Sequence, residues 1–165
     1  MILRTPAWSR LSLLAIALNV PGTLAESPGE FEPHSVVGVF LGATDPEEYS
    51  TEFTYGLEYG YRITPKFGVG AVYEKTDDGH DGAGTSVVLG SLYYSPVPGW
   101  RLGAGVGSEK VDGHHGKSSH SETLYRAGVA YHFHVGGIGL SPVVNVDFVD
   151  GDHAFVYGLA ISKAF

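Results

Sequence analysis

From Phe53 to Ile63 the chain reads FTYGLEYGYRI, with large and small residues in strict alternation. Phe53, Tyr55, Leu57, Tyr59, Tyr61 and Ile63 share one parity; Thr54, Gly56, Glu58, Gly60 and Arg62 share the other. That period of two belongs to a strand with two unlike faces, because a helix would scatter the aromatics around its circumference. The pattern returns in FGVGAVYE, where Phe67, Val69, Ala71 and Tyr73 oppose Gly68, Gly70, Val72 and Glu74. RLGAGVGSE, YRAGVAYHFHV, LSPVVNVDF and AFVYGLAISKAF repeat it. VVGVFLGAT and TSVVLGSLYY are strand-like too, but their phase is ambiguous.

These segments predict eight strands, over about 35–44, 51–63, 67–75, 84–95, 100–109, 122–135, 138–149 and 153–165. No segment after the first 25 residues shows sustained helical periodicity. The connections TPK, PVPG and GG are tight turns. DPEEYS, TDDGHDGAG and KVDGHHGKSSHS are longer and polar, with DGD the short exception. Tight turns at one end and longer loops at the other are how an up-and-down barrel in an outer membrane is built. Pro142 conflicts with that reading, since a closed barrel has no free edge to host a residue without an N–H. It lies near a strand start, where a lost donor is easiest to accommodate.

Two eight-stranded barrels compete. In a soluble one, such as a lipocalin, the large apolar face points inward. In a membrane barrel the faces are inverted. The small-residue face here carries Gly56, Gly60, Gly68, Gly70, Gly103, Gly105, Gly107, Gly128 and Gly158. Glycine weakens a water-facing strand surface, whereas the cramped interior of an eight-stranded barrel needs small residues. The charges on that face are few and of both signs: Glu58, Arg62, Glu74, Arg101, Glu109, Arg126 and Asp147. Arginine predominates over lysine among them, as expected of fixed ion pairs in confined space. The aromatics also sort by height. Tyr59, Tyr61, Phe67, Tyr93, Tyr94, Trp100, Tyr131, Phe133 and Phe165 fall near the turns, and Phe53, Tyr55, Tyr73, Tyr125, Phe148, Phe155 and Tyr157 near the loops. Two such girdles match the two interfaces of a bilayer. The fold class expected is therefore all-β, an eight-stranded antiparallel up-and-down transmembrane β-barrel.

The start of the chain has a different character. Arg4 and Arg10 are the only charges before Glu26, and LSLLAIALNV is an apolar run of about ten residues broken by Pro21 and Gly22. A charged start, a short apolar middle and a small-residue exit at TLA describe a cleavable signal peptide over 1–25, leaving a barrel domain over 26–165. The run is short of the roughly 20 residues a spanning helix needs. The net charge of −8 argues against a nucleic-acid partner, and the absence of cysteine excludes disulfides and thiolate metal sites.

From residue 26 onward the chain resembles the small eight-stranded outer-membrane barrels of Gram-negative bacteria, the OmpA-like and OmpX-like group. VVGVFLGAT, GLEYGYRI and FGVGAVYE further resemble proteobacterial outer-membrane barrels without an assigned activity. The resemblance implies export to the outer membrane, contact with bilayer lipid and lipopolysaccharide, help from periplasmic chaperones and the assembly machinery, and a monomeric barrel. It also implies that Tyr157, Leu159, Ile161 and Phe165 form the C-terminal assembly signal; Lys163 stands where an apolar residue is usual.

Three constellations bear on function. The inner charges read as a paired plug filling the lumen, with a narrow water or ion passage as the alternative. His80, His114, His115 and His120 are interleaved with acids in the external loops, a ligand set that suits zinc, copper or nickel, although the spacing matches no closed metal motif. His132 and His134 face the lumen near the turn end, too far from His114 to share an ion. Some barrels of this size modify lipid A, but a hydrolase needs serine, histidine and an acid together on the outer surface, and the outward strand positions here are apolar. The expectation is a non-enzymatic barrel without a cofactor, with a structural or surface-interaction role. Metal binding by the loops, a narrow channel and lipid A modification rank behind it in that order.

Overall fold

The computed structural model describes residue 32 and residues 34–46, 50–77, 84–112 and 118–165. Nine strand segments run in chain order: β1 (His34–Pro46), β2 (Glu52–Arg62), β3 (Phe67–Thr76), β4 (Thr85–Tyr94), β5 (Trp100–Val111), β6 (His120–Tyr131), β7 (Phe133–Val135), β8 (Ile138–Val149) and β9 (Asp152–Ala164). Consecutive strands pair antiparallel except β6 with β7, β1 also pairs with β9, and β6 pairs with β8. The sheet therefore closes on itself as eight staves, because β6 and β7 form one stave interrupted at His132. Closure leaves no unpaired edge, which a barrel in lipid requires.

The interruption has its cause on the neighbouring strand. The β6–β8 ladder pairs Ala130 with Val143, and the β7–β8 ladder resumes in the same register at Phe133 and Leu140. The positions skipped, Tyr131 and His132, lie opposite Pro142 and Ser141 by that register. Proline has no N–H to give the ladder. On its other side Pro142 is paired with Leu159 of β9. His132 keeps a backbone bond at its other edge, donating to the Gly99 carbonyl at 2.6 Å. The barrel thus accommodates Pro142 as a local gap in one seam.

The hairpins follow from their residues. Gly136 and Gly137 join β7 to β8 with φ of 58° and 82°, and Asp150 and Gly151 join β8 to β9 with φ of 47° and 97°. Positive φ at both central residues is the two-residue turn whose twist matches the strands it connects. At the β2–β3 turn the Thr64 hydroxyl accepts the Phe67 amide at 2.9 Å.

Side-chain direction settles the two faces. Leu92 is 66% exposed and Leu57 58%, whereas Leu124, on the other face, is fully buried. The large apolar residues point away from the interior, the reverse of a soluble barrel. The phase of β1 and β4 is also defined: Val37, Val39 and Leu41 point out and Phe40 in; Val88, Leu92 and Tyr94 point out and Val87, Leu89 and Tyr93 in. Tyr93 accordingly leaves the turn-end aromatic girdle in which its sequence position had placed it. It lies inside, across two glycines: a Cβ on Gly70 would stand 2.7 Å from its ring and one on Gly103 3.4 Å.

Inside, Phe40, Ala130, Val143, Val156 and Ala160 form one apolar cluster, and Val72, Val87, Leu89 and Leu124 form another. Both depend on glycine opposite. Phe40 lies over Gly42 and Gly158, whose added Cβ atoms would meet its ring at 2.6 and 2.9 Å, and Leu89 lies over Gly105, where a Cβ would meet its Cδ1 at 2.5 Å. Gly105→Ala should destabilise the folded barrel by about 1–3 kcal/mol, the usual cost of overpacking. In a Leu89→Ala background the same change should cost much less, because the obstructing atom is gone. Urea titration of the four proteins in one detergent checks this; equal costs in both backgrounds would show that the contact does not limit packing.

Candidate functional site

The densest polar arrangement inside the barrel is built on Arg126 of β6. Its Nε donates to Asp147 Oδ1 at 2.6 Å and Nη2 to Asp147 Oδ2 at 2.7 Å. Nη1 donates to Glu74 Oε1 at 2.7 Å and Nη2 to Glu74 Oε2 at 2.6 Å. All three residues are buried. Asp147 is the register partner of Arg126 across the β6–β8 seam, whereas Glu74 reaches it from β3, three staves away around the sheet. One guanidinium therefore ties opposite walls together through two bidentate pairs, the geometry that a planar fork of donors permits and an ammonium does not. Glu74 crosses over Gly56, where a Cβ would stand 2.7 Å from its Cγ. Along β6, Arg126 stands between Leu124 of one apolar cluster and Ala130 of the other.

Toward the loops a hydroxyl ladder spans three strands. Thr44 and Thr54 share a bond of 2.7 Å, and Thr54 and Thr76 one of 2.9 Å. Toward the turns the second charged pair is looser: Arg101 Nη2 stands 3.8 Å from Glu58 Oε2, and both side chains are partly exposed. The Arg101 guanidinium also lies 4.8 Å from the centroid of the inward Tyr93 ring, within cation–π range. Two cavities, of about 20 and about 40 Å³, adjoin Glu58, Tyr93 and Arg101. Such volumes hold ordered water and little else.

The remaining inner charges lie apart from these groups. Arg62 is exposed at the end of β2 and donates to the Pro65 carbonyl at 2.9 Å. The β2–β3 ladder ends at Arg62 and Gly68, so its side chain turns to the hairpin rather than to the lumen. Glu109 points inward in β5 opposite Glu122, and among the described residues no hydrogen bond reaches its carboxylate. Among the described residues every fully buried side-chain nitrogen or oxygen has a hydrogen-bond partner.

Of the loop histidines, His80, His114 and His115 lie outside the described residues. His120 opens β6, with its Nε2 3.7 Å from Glu122 Oε1. Among the described residues no three histidine or carboxylate side chains converge as a metal site. His132 shares a 2.7 Å bond between its Nδ1 and Ser141 Oγ, and its ring packs edge-on to His134 at 4.5 Å. Ser141 is itself buried. No carboxylate bonds the histidine among the described residues, so the pair lacks both the access and the third group of a nucleophilic triad. Tyr157, Leu159, Ile161 and Phe165 share the outer face of the last strand, and Lys163 on that face places its amine 5.9 Å from the Phe165 ring.

Sequence reasoning found the members of the Arg126 group by face alone. It missed Tyr93, because an aromatic on an apolar strand reads as outer wall. The two facing glycines, Gly70 and Gly103, were the available signal.

The fold defined by this closed ring and inverted interior is that of the small eight-stranded outer-membrane barrels. Neisserial surface protein A superposes with a TM-score of 0.57 at 14% identity, over 81% of this chain and 97% of that one. Ail, the attachment invasion locus protein of Yersinia pestis, gives 0.51 at 18% identity, over 83% and 100%. The N-terminal barrel domain of Pseudomonas aeruginosa OprF gives 0.53 at 13% identity, over 81% and 100%. No protein-family model and no curated protein sequence matches the chain.

Removing one member of the buried triad leaves an uncompensated charge. Arg126→Ala should cost roughly 3–5 kcal/mol of barrel stability. Replacing all three together with apolar residues of similar volume (Arg126→Met, Glu74→Leu, Asp147→Leu) should recover most of that loss. Urea midpoints read from the folded, heat-modifiable gel band measure both; a triple variant no better than Arg126→Ala would contradict the charge argument.

Proposed function

We propose that this protein is an integral outer-membrane barrel of a Gram-negative bacterium whose lumen is a structural plug and whose work is done at its surface. The observation that carries the reading is the pairing of an apolar outer wall with the Arg126–Glu74–Asp147 bridge across the interior. A wall exposing Leu57, Leu92 and Tyr125 demands lipid, since a patch of that extent is not stable in water. Lipid in turn demands a closed ring with every backbone group paired inside the wall.

The plug supports an occluded lumen. Phe40, Leu89, Leu124 and Val156 are buried inside it beside the triad, and the adjoining cavities are water-sized. Transport of solutes is then excluded by volume. The acidic segments between the strands are the working surface in this reading. Residues 1–25 act as the export signal and are removed after Ala25, and the apolar residues ending at Phe165 are read by the assembly machinery.

Expression of the full chain in a Gram-negative host tests the reading. The protein should fractionate with the outer membrane, run faster unboiled than boiled, and have a mass that begins at Glu26. Reconstituted in planar bilayers, it should leave conductance at background. Recovery in the soluble fraction would remove the membrane assignment, and stepwise conductance would remove the plug.

A further inference from the structure

The turn-end mouth of the lumen gathers two histidines that the plug does not use. His132 and His134 stand two apart on the interrupted stave, so both side chains take the inner face. Their rings meet edge-on with centroids 4.5 Å apart. By register His134 lies opposite Gly139 of β8, and Gly139 lies opposite Ser162 of β9. A Cβ on Gly139 would stand 2.8 Å from His132 Nε2 and 2.6 Å from Ser162 Oγ. Glycine there leaves a small space bordered by one imidazole nitrogen and one hydroxyl, with the second imidazole beside it.

The neighbouring groups orient the first imidazole and admit an ion to it. His132 Nδ1 is held at 2.7 Å by Ser141 Oγ, and Ser141 is buried. When Nδ1 donates to that hydroxyl, Nε2 carries the lone pair. An oxygen partner on one ring nitrogen, with the other turned to an ion, is the usual setting of a metal-bound histidine. His134 is exposed, which gives an ion a path in from the mouth. Ser141 and Ser162 also border the cavity of about 20 Å³, room for one water, which Glu58 borders as well. Arg101 lines the same cavity, and Glu58 at 3.8 Å offsets its charge there.

We propose that His132 and His134 form a binding site for a divalent late transition-metal ion, with Cu²⁺ held most tightly. His132 Nε2 and a ring nitrogen of His134 are the protein ligands, Ser141 is the positioning residue, and Ser162 and water complete the coordination. Two neutral imidazoles suit copper, nickel and zinc, and affinity in such a site peaks at Cu²⁺. A closed structural zinc site takes four protein ligands from histidine, cysteine or carboxylate, and this cluster supplies two. It is separate from the loop histidines, since His120 opens β6 at the loop end and His132 follows its turn end.

The full chain, expressed without a tag and purified in detergent, is titrated with Cu²⁺, and an unboiled gel shift confirms that each variant is folded. The chain has 8 histidines, and a background in which all but His132 and His134 are replaced by Gln should still bind a single Cu²⁺ ion. Its electron paramagnetic resonance spectrum should carry the splitting of two imidazole nitrogens. In that background His132→Gln and His134→Gln should each weaken binding by about 100-fold, and Ser141→Ala by about tenfold, the scale of a lost outer partner. His134 is exposed, so His134→Gln decides the case if His132→Gln does not fold. No copper binding in the background, or His134→Gln within twofold of it, overturns the site. Displacement of copper by an equal concentration of Zn²⁺ overturns the choice of ion.

Discussion

A guanidinium enclosed in a barrel needs acceptors on every side, and Arg126 obtains them from Asp147 beside it and Glu74 across the lumen. Much of the interior is arranged around that requirement. Charge in a low-dielectric space is tolerable only when paired and fully hydrogen-bonded. The triad meets the condition with four bonds of 2.6 to 2.7 Å. Because the partners come from β3, β6 and β8, satisfying the charge also fixes how far apart those walls stand. The apolar clusters then fill the space on either side, and Gly56 keeps the path of Glu74 clear.

The outer wall obeys the opposite rule. In a medium as apolar as leucine, burying leucine in the interior brings no advantage, so Leu57, Leu92 and Val106 face outward and the lumen takes the polar groups. What lipid does not forgive is an unpaired backbone group. The ring of pairings answers this around seven seams without interruption. At the eighth, Pro142 opens a gap beside Tyr131 and His132, which sits close to the GG turn rather than at mid-height. The two-residue hairpins at Gly136–Gly137 and Asp150–Gly151 show the same economy, since their positive φ lets adjacent staves reverse without losing register.

Solved barrels at 13–18% identity preserve the ring while sharing little sequence. The fold is a container specified by alternation, and specific recognition is added at its rim and loops.

Alternation in the sequence determined the strands, their number, the barrel and the inversion of its faces. These are local properties, because side-chain direction changes with every residue and the solvent on each side selects residue type. Phe53 to Tyr61 was legible: its aromatics stand outside, and Thr54, Gly56 and Glu58 inside, while Arg62 beyond them turns to the hairpin. Where both parities carry apolar residues the pattern was silent, and packing decided. Phe40 and Leu89 are inside because Gly42, Gly158 and Gly105, on strands near or far in sequence, leave room for them. Tyr93 is inside for the same reason. The tertiary structure alone chose which charges meet. Glu58 and Arg62, four apart on one strand, part company: Glu58 approaches Arg101 while Arg62 turns to the Pro65 carbonyl. Arg126 finds Glu74 at a separation of 52 residues. Distance across a lumen depends on closure and register, and neither is written in the composition of a single strand.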